Sequence, residues 1–434
     1  MNPDSANSGI GSSRAWFIWC LSALAFSYAF IQRVTPSVMV DDLMAEFAIG
    51  AAVLGTLSAL YFYPYVLMQV PLGALIDRLG ARLLLTVALS VAGLGSFIFA
   101  SSDTLFLAYT GRLLIGIGCA VGFLGSLAIA AKWFPPHRFA FFSGLVMLFG
   151  MSGGILGQGP LASVLTDVGW RNAMLGLGGF GILLALMVFI FVRNTPEGSS
   201  SSNAPQQSWW QVWSGLARAI SRLEVWKIAI VASTMSGAML TLGGLWGTPY
   251  LISAYGLDKA YAASLVSLMF LGWAFGAPSI GWLSDRIKRR KILLIIGSAI
   301  LCVCLAIICF IPDLPLWITV TLFVISGTSG SAMATCFALV RENSPPEISG
   351  SVFGIVNSLT VASGAVLQPG VGYILDQIWN GTFENGARVY STADYQTGFL
   401  LILASCMLGF CISLLLKENP ATNSTQETAK QRVS

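Results

Sequence analysis

The 434-residue chain is 56% hydrophobic and only 10% charged, with a mean hydropathy of +0.77, and no water-soluble fold could hide that much apolar surface in its interior. Its net charge of +4 resides mainly in the loops between apolar runs, which points to membrane topology rather than nucleic-acid binding. The eight cysteines lie almost wholly inside apolar runs, where they act as small hydrophobes, so neither a disulfide framework nor a metal site is expected.

Apolar stretches long enough to cross a hydrocarbon core recur from Ala15 to Leu416, and polar knots divide them. In chain order they predict helices near 15–40, 51–73, 82–101, 106–131, 139–165 and 171–193. Six more follow near 225–253, 261–283, 290–311, 316–340, 349–375 and 396–416. The first run is read as a retained helix because it begins at Ala15 and continues past a signal peptide's length. The fold class expected is an all-α polytopic membrane protein with twelve transmembrane helices in two pseudo-symmetric six-helix bundles.

Basic residues collect on the cytoplasmic side of membranes. With both termini inside, that side holds Arg14, Arg78, Arg82, Lys132, Arg138, Arg193, Arg222, Arg286, Lys288, Arg289, Arg290, Lys291 and Lys417, whereas the outer loops hold only Arg171, Lys259 and Arg388. Short loops and tails are consistent with a bacterial inner membrane, and the chain is expected to work as a monomer in the bilayer.

The expected domain plan is a tail over 1–14, a bundle over 15–194, a cytoplasmic linker over 195–224, a second bundle over 225–417 and a tail over 418–434. The linker contains the polar run Gly198–Ser208. After it, Trp209, Trp210, Trp213, Ala217 and Ile220 have the spacing of a short amphipathic helix on the membrane surface. The halves on either side share spelling. Gly73-x-Leu75-x-Asp77-Arg78 returns as Gly281-x-Leu283-x-Asp285-Arg286, and Pro135, Pro136, Gly144, Gly154 and Gln158 return as Pro345, Pro346, Gly354, Gly364 and Gln368. Two nearly equal displacements at separate places indicate parallel repeats.

These residues carry a resemblance to a known family. The loop Gly73-Ala74-Leu75-Ile76-Asp77-Arg78-Leu79-Gly80-Ala81-Arg82 resembles the signature of the major facilitator superfamily between helices two and three. Gly111-Arg112-Leu113-Leu114-Ile115-Gly116-Ile117-Gly118 resembles its helix-four motif, and Gly153 to Pro160 is a loose version of its helix-five motif. The resemblance implies a carrier that works by alternating access. It also implies that the loop bearing Gly73, Asp77, Arg78 and Arg82, with Asp285 and Arg286 in the second half, is a conformational latch. The residues support that role independently, because a carboxylate at a helix end can bond to a neighbouring helix terminus only while the gate beside it is shut.

Ionisable groups inside a membrane are costly and therefore candidates for function. The predicted spans contain Arg33 in the first helix and Arg112 in the fourth, and no Asp or Glu. Asp41, Asp42, Glu46, Asp103, Asp167, Asp258, Asp313 and Asp376 all fall at outer ends or in outer loops. A buried cation without a buried anion invites an anionic partner, so Arg33 is the first candidate for substrate binding, as a bidentate clamp for a carboxylate or phosphate. The surrounding Gln32-Arg33-Val34-Thr35-Pro36-Ser37 is similar to the first-helix pattern of the organic-anion branches of the superfamily, including sugar-acid and organophosphate carriers. For Arg112 the resemblance implies a structural or gating role against the first helix.

Side chains at helical spacing supply further candidate lining: Tyr28 and Gln32 on the first helix and Tyr61, Tyr65 and Gln69 on the second. Trp246, Tyr250, Trp273 and Asn357 are comparable positions in the second half. Where the proton-linked sugar-acid carriers of the family have acidic residues, this chain has Gln32 and, near the helix-four position, Cys119. Anion exchange, facilitated diffusion or ion coupling through backbone carbonyls and hydroxyls is favoured over proton symport. No phosphate-binding loop, catalytic constellation or cofactor motif is present in the sequence, so an enzyme is not expected. The other readings are a carrier of amino acids or dipeptides, a drug exporter, and a transporter-like sensor that binds without moving its ligand.

Overall fold

The computed structural model describes residues 12–196, 209–311, 313–345 and 348–418. Most of the expected N-terminal tail, the polar run Gly198–Ser208, Pro346 of the second repeat and the tail beyond Glu418 fall outside the described residues.

Apolar composition forces the backbone to satisfy its own hydrogen bonds, and helices do so within each segment. Eleven continuous helical segments among the described residues are long and apolar enough to cross a membrane. One of them, Phe141–Phe191, is two crossings. The chain leaves helical geometry at Gly169, whose φ of 78° favours glycine. The spans are thus Ser13–Val38, Ala51–Gln69 (with its helix continuing to Leu79), Ala81–Ala100, Leu105–Trp133, 139–168 and 170–191 in the first half. In the second half they are Leu223–Tyr255, Lys259–Ile287, Arg290–Phe310, Leu316–Glu342, Ser349–Ile378 and Thr392–Leu414. They follow the sequence expectation, and the expected surface helix is present as Trp209–Ile220 with Trp210, Trp213, Ala217 and Ile220 exposed.

The structure adds interruptions that hydropathy does not report. The first span tightens into a 3-10 turn over Thr35–Val38 after its helix ends at Val34, and the seventh widens into a π-helix over Met239–Trp246. The fourth breaks between Cys119 and Gly122, and the tenth turns through Ser331–Met333 after Gly330. The fourth, seventh and tenth spans are thus each irregular near their middles, and the first at its far end. Irregular backbone is tolerated at membrane depth only where protein or a cavity surrounds it.

Within the first half, the third span packs against the fourth and sixth, and the first against the fourth and fifth. The second half has the eighth against the tenth, the ninth against the twelfth and the seventh against the eleventh and twelfth. Between halves, the second span lies along the eleventh and the fifth along the eighth. The two ends of the bundle differ in charge. One, here the basic end, carries Arg78, Arg82, Arg289, Arg290 and Lys291, and the other is the far end.

Candidate functional site

Arg33 is the penultimate residue of the first helix, two before it tightens, and it is only 5% exposed. Four aromatic rings surround the guanidinium: Phe30 at 4.3 Å from Cζ, Tyr65 at 5.2 Å, Tyr61 at 5.4 Å and Phe62 at 5.9 Å. Such rings stabilise a cation through their π faces. None of them carries the negative charge that would balance it. Among the described residues no carboxylate lies within ion-pair distance of Arg33, and its buried Nε has no hydrogen-bond partner. Arg33 is therefore a preorganised, charged donor with capacity to spare.

The second span supplies the wall beside it. Tyr61 and Tyr65 stack with centroids 6.0 Å apart, as their four-residue spacing on one helix face requires. The Tyr61 hydroxyl donates to the Ala29 carbonyl at 2.9 Å, which sets the ring against the first span. One turn beyond Tyr65, Gln69 accepts from Asn357 Nδ2 at 2.8 Å, across the boundary between halves. Gln69 Nε2 is buried without a partner. Arg33, Tyr65, Gln69 and Asn357 thus bring unspent donors and one fixed positive charge to the seam between the second and eleventh spans.

Other expected site residues are placed elsewhere. Gln32 donates to the Tyr28 hydroxyl at 2.8 Å and to Ser96 Oγ at 2.7 Å, and Tyr28 donates to the Leu177 carbonyl at 3.1 Å. Both therefore face the third and sixth spans, on the side of the first helix away from Arg33. In this structure these bonds lie within the first bundle and not beside Arg33, because adjacent helical residues point about 100° apart. Trp246 donates its indole N–H to the Gln368 carbonyl at 3.0 Å and is fully buried. Tyr250 packs edge-on against Tyr395 and Phe399, and Trp273 fills the space left by Gly330 of the tenth span. These three are packing residues of the second half in this conformation.

Arg112 is buried in the fourth span, where Nη1 donates to the Gln32 carbonyl at 2.8 Å and Nη2 to the Ser58 carbonyl at 3.4 Å. It joins the first, second and fourth spans through Nη1 and Nη2, while its buried Nε, like that of Arg33, has no partner. Cys119 sits beside Tyr61, so a thiol occupies the neighbourhood in which the proton-linked carriers of the family have a carboxylate.

Two residues that the sequence marked only as repeat partners do more than expected. Gln158, at the break of the fifth span, donates from Nε2 to the Gly243 carbonyl at 2.5 Å. Its Oε1 accepts from Ser37 at 3.1 Å and from Thr248 at 3.3 Å. Gln368 donates to the Leu240 carbonyl at 2.7 Å. Both glutamines thus reach carbonyls of the widened stretch of the seventh span, where the i→i+5 pattern leaves backbone acceptors free. An amide at a repeat-matched position in an apolar helix was the available signal.

At the basic end, Gly73 is exposed and faces open space, and Asp77 is exposed without a hydrogen bond or ion pair among the described residues. Arg78 is exposed beside it. Arg82 donates to the Phe189 carbonyl at 2.6 Å and lies over the Phe189 ring. In the second half Asp285 accepts from Arg290 at 2.6 Å, Arg290 also reaches Glu342 at 3.1 Å, and Arg286 lies over Trp282. At the far end the halves are tied by Lys259 to Asp42 at 2.9 Å and by Asp376 to the start of the second span. The structure is thus knit at the far end, while Asp77 at the basic end makes no hydrogen bond or ion pair among the described residues.

Twelve spans among the described residues, in two repeats around a polar seam, define a polytopic membrane transporter rather than an enzyme. The sequence profile of the Major Facilitator Superfamily matches residues 21–369 and 249–433, and the chain belongs to that family. It is 25% identical to the probable galactarate/D-glucarate transporter GudP of Bacillus subtilis (strain 168), over 91% of this chain and 92% of that protein. It is also 24% identical to the probable sulfoacetate transporter SauU of Cupriavidus necator, over 62% of this chain and 64% of that protein. Among solved structures, a bacterial homologue of the human lysosomal transporter Spinster superposes with a TM-score of 0.78 at 17% identity, covering 94% of this chain and all of that one.

Proposed function

We propose that this chain is a secondary carrier of small organic anions, carboxylates such as sugar acids above all, and that Arg33 binds the anionic group. The single observation that carries the reading is the buried guanidinium of Arg33, which, unlike that of Arg112, is spent on no backbone carbonyl and has no carboxylate within ion-pair distance among the described residues. A substrate carboxylate supplies the missing charge and accepts a forked pair of hydrogen bonds. Tyr65 and the free amide of Gln69 are positioned for the hydroxyls or second acceptor of the same molecule. The names of the relatives, transporters of dicarboxylic sugar acids and of sulfoacetate, support an anion over a zwitterion.

Transport follows from alternating access: anion bound to Arg33 of one half and to the Gln69–Asn357 pair across the seam favours a state in which both halves close on it. The absence of an Asp or Glu beside Arg33 among the described residues favours exchange or uncoupled movement over proton symport. The basic end is assigned to the cytoplasm of a bacterial inner membrane, and a single chain forms the whole path.

The test is uptake into proteoliposomes with D-glucarate as the labelled substrate and unlabelled competitors of graded charge. Aldarates and aldonates are expected to compete, and uncharged sugars and amino acids are not. Equal competition by the neutral compounds refutes the assignment.

A further inference from the structure

The second and eleventh spans run antiparallel along the seam, and each begins without a cap of its own. The N-cap positions, Gly50 and Ile348, provide no side-chain hydrogen bond to the amides that follow. The first N–H groups of a helix need acceptors, and a carboxylate serves best there because the helix dipole adds its attraction. For the second span that acceptor comes from the other half of the molecule. Asp376, near the C-terminal end of the eleventh span, accepts from Ala51 N at 3.0 Å through Oδ1 and from Ala52 N at 2.9 Å through Oδ2.

The carboxylate is held in place from its own side. Arg388 donates to Asp376 Oδ1 at 3.0 Å and Tyr390 at 2.5 Å, and both belong to the second half. Burial, followed by the hydrogen bond to Asp376, pushes the Tyr390 phenol up, which keeps it a neutral donor. The fit leaves no room for a side chain opposite, since a Cβ on Gly50 would stand 2.5 Å from Asp376 Oδ1.

The same two helices predict what lies at the basic end. Gly55 is opposite Pro369, Phe62 opposite Gly364 and Gln69 opposite Asn357. Continuing that register by about two turns puts Asp77 opposite Ser349, the first residue of the eleventh helix. Asp77 stands near the C-terminal end of the second span, as Asp376 does on the eleventh, and in this structure it is exposed and unbonded.

The family resemblance already makes the loop of Asp77 the latch of the basic end; we propose that Asp376 is its counterpart on the far face, capping the uncapped start of the second span in alternation with it. With the far face shut, Asp376 caps Ala51 and Ala52 while Asp77 is free. When the halves rock, the first pair parts and Asp77 meets the amides at Ser349. Each half-cycle thus exchanges one charge-assisted cap for its counterpart, which keeps the two end states close in free energy. The proposal rests on the alternating-access reading but not on the identity of the substrate.

Hydrogen–deuterium exchange on the detergent-purified full chain tests it without any ligand. Asp376→Asn is expected to speed exchange about tenfold at the far-end start of the second span, over 51–59, the loss of a charge-assisted cap being a shift of that order. Exchange at the basic-end segments 73–79 and 349–355 is expected to slow in the same sample, because opening one face closes the other. Gly50→Ala, whose φ of −91° suits alanine, is expected to give the same two-signed pattern by steric displacement of Asp376. Asp77→Asn is expected to leave the far end protected. Faster exchange at both ends in Asp376→Asn and Gly50→Ala, or no change at the basic end, overturns the proposal. A failure of the glucarate competition assay with the two-signed exchange intact would instead strike only at the anion assignment.

Discussion

Replacing Arg33 separates its role as a binding group from its role as a structural one, because the two have opposite consequences for the empty protein. The side chain is 5% exposed and has no ionised partner among the described residues, so its charge costs several kcal/mol of desolvation in the unliganded state. The four rings offset that by roughly 0.5 to 2 kcal/mol for each effective cation–π contact. Arg33→Ala is therefore expected to leave the melting temperature of the ligand-free protein unchanged or higher. Binding is a different matter. Two charge-assisted hydrogen bonds to a carboxylate contribute roughly 1.5–3 kcal/mol each, so their loss weakens anion binding by about 10² to 10⁴-fold. Arg33→Lys keeps the charge but not the fork, and one bond's worth of loss, about 10 to 100-fold, is expected. The assay is a thermal shift against glucarate. Stabilisation in the wild-type protein grows with ligand concentration and reaches about 2.7 kcal/mol at a hundredfold excess over Kd. At that concentration it is expected to vanish in Arg33→Ala and to be much reduced in Arg33→Lys. An Arg33→Ala protein that melts lower when empty yet keeps its full ligand shift refutes the reasoning, because Arg33 would then be a packing residue.

Asn357→Ala removes the donor that joins Gln69 across the seam. It is expected to weaken substrate binding about tenfold, with a coupling of about 1 kcal/mol to Gln69→Ala in a double-mutant cycle on the ligand-induced melting shift, and additive losses would show that the pair does not act together. At Gly55 an added Cβ would stand 2.6 Å from the Gln368 carbonyl oxygen. Gly55→Val is expected to cost about 1–3 kcal/mol in the far-closed state, read as a lower melting temperature with faster exchange at the far end, and a wild-type melting curve would contradict the packing of the second span on the eleventh.

Much of the architecture was readable in one dimension. Apolar runs of membrane length, the repeated Gly-x-Leu-x-Asp-Arg element and the repeat-matched Gln158 and Gln368 specify twelve spans in two halves, because in lipid hydropathy and backbone hydrogen bonding act locally on each segment. Arg33 was likewise legible, since the cost of an ion in a low-dielectric span is a property of the residue and its depth. Which side of a helix faces the path was not. Gln32 and Arg33 are neighbours in sequence, yet one bonds to Ser96 inside its own bundle and the other looks into the seam. Gln69 meets its partner Asn357 from hundreds of positions away in the chain. Nor does any local pattern distinguish Asp376, an ordinary loop-end carboxylate until the eleventh span is laid against the second and its two oxygens fall on the amides of Ala51 and Ala52. Local chemistry determined the elements and the buried charge. The pairing of faces, which decides what each side chain can touch, exists only once the helices have packed.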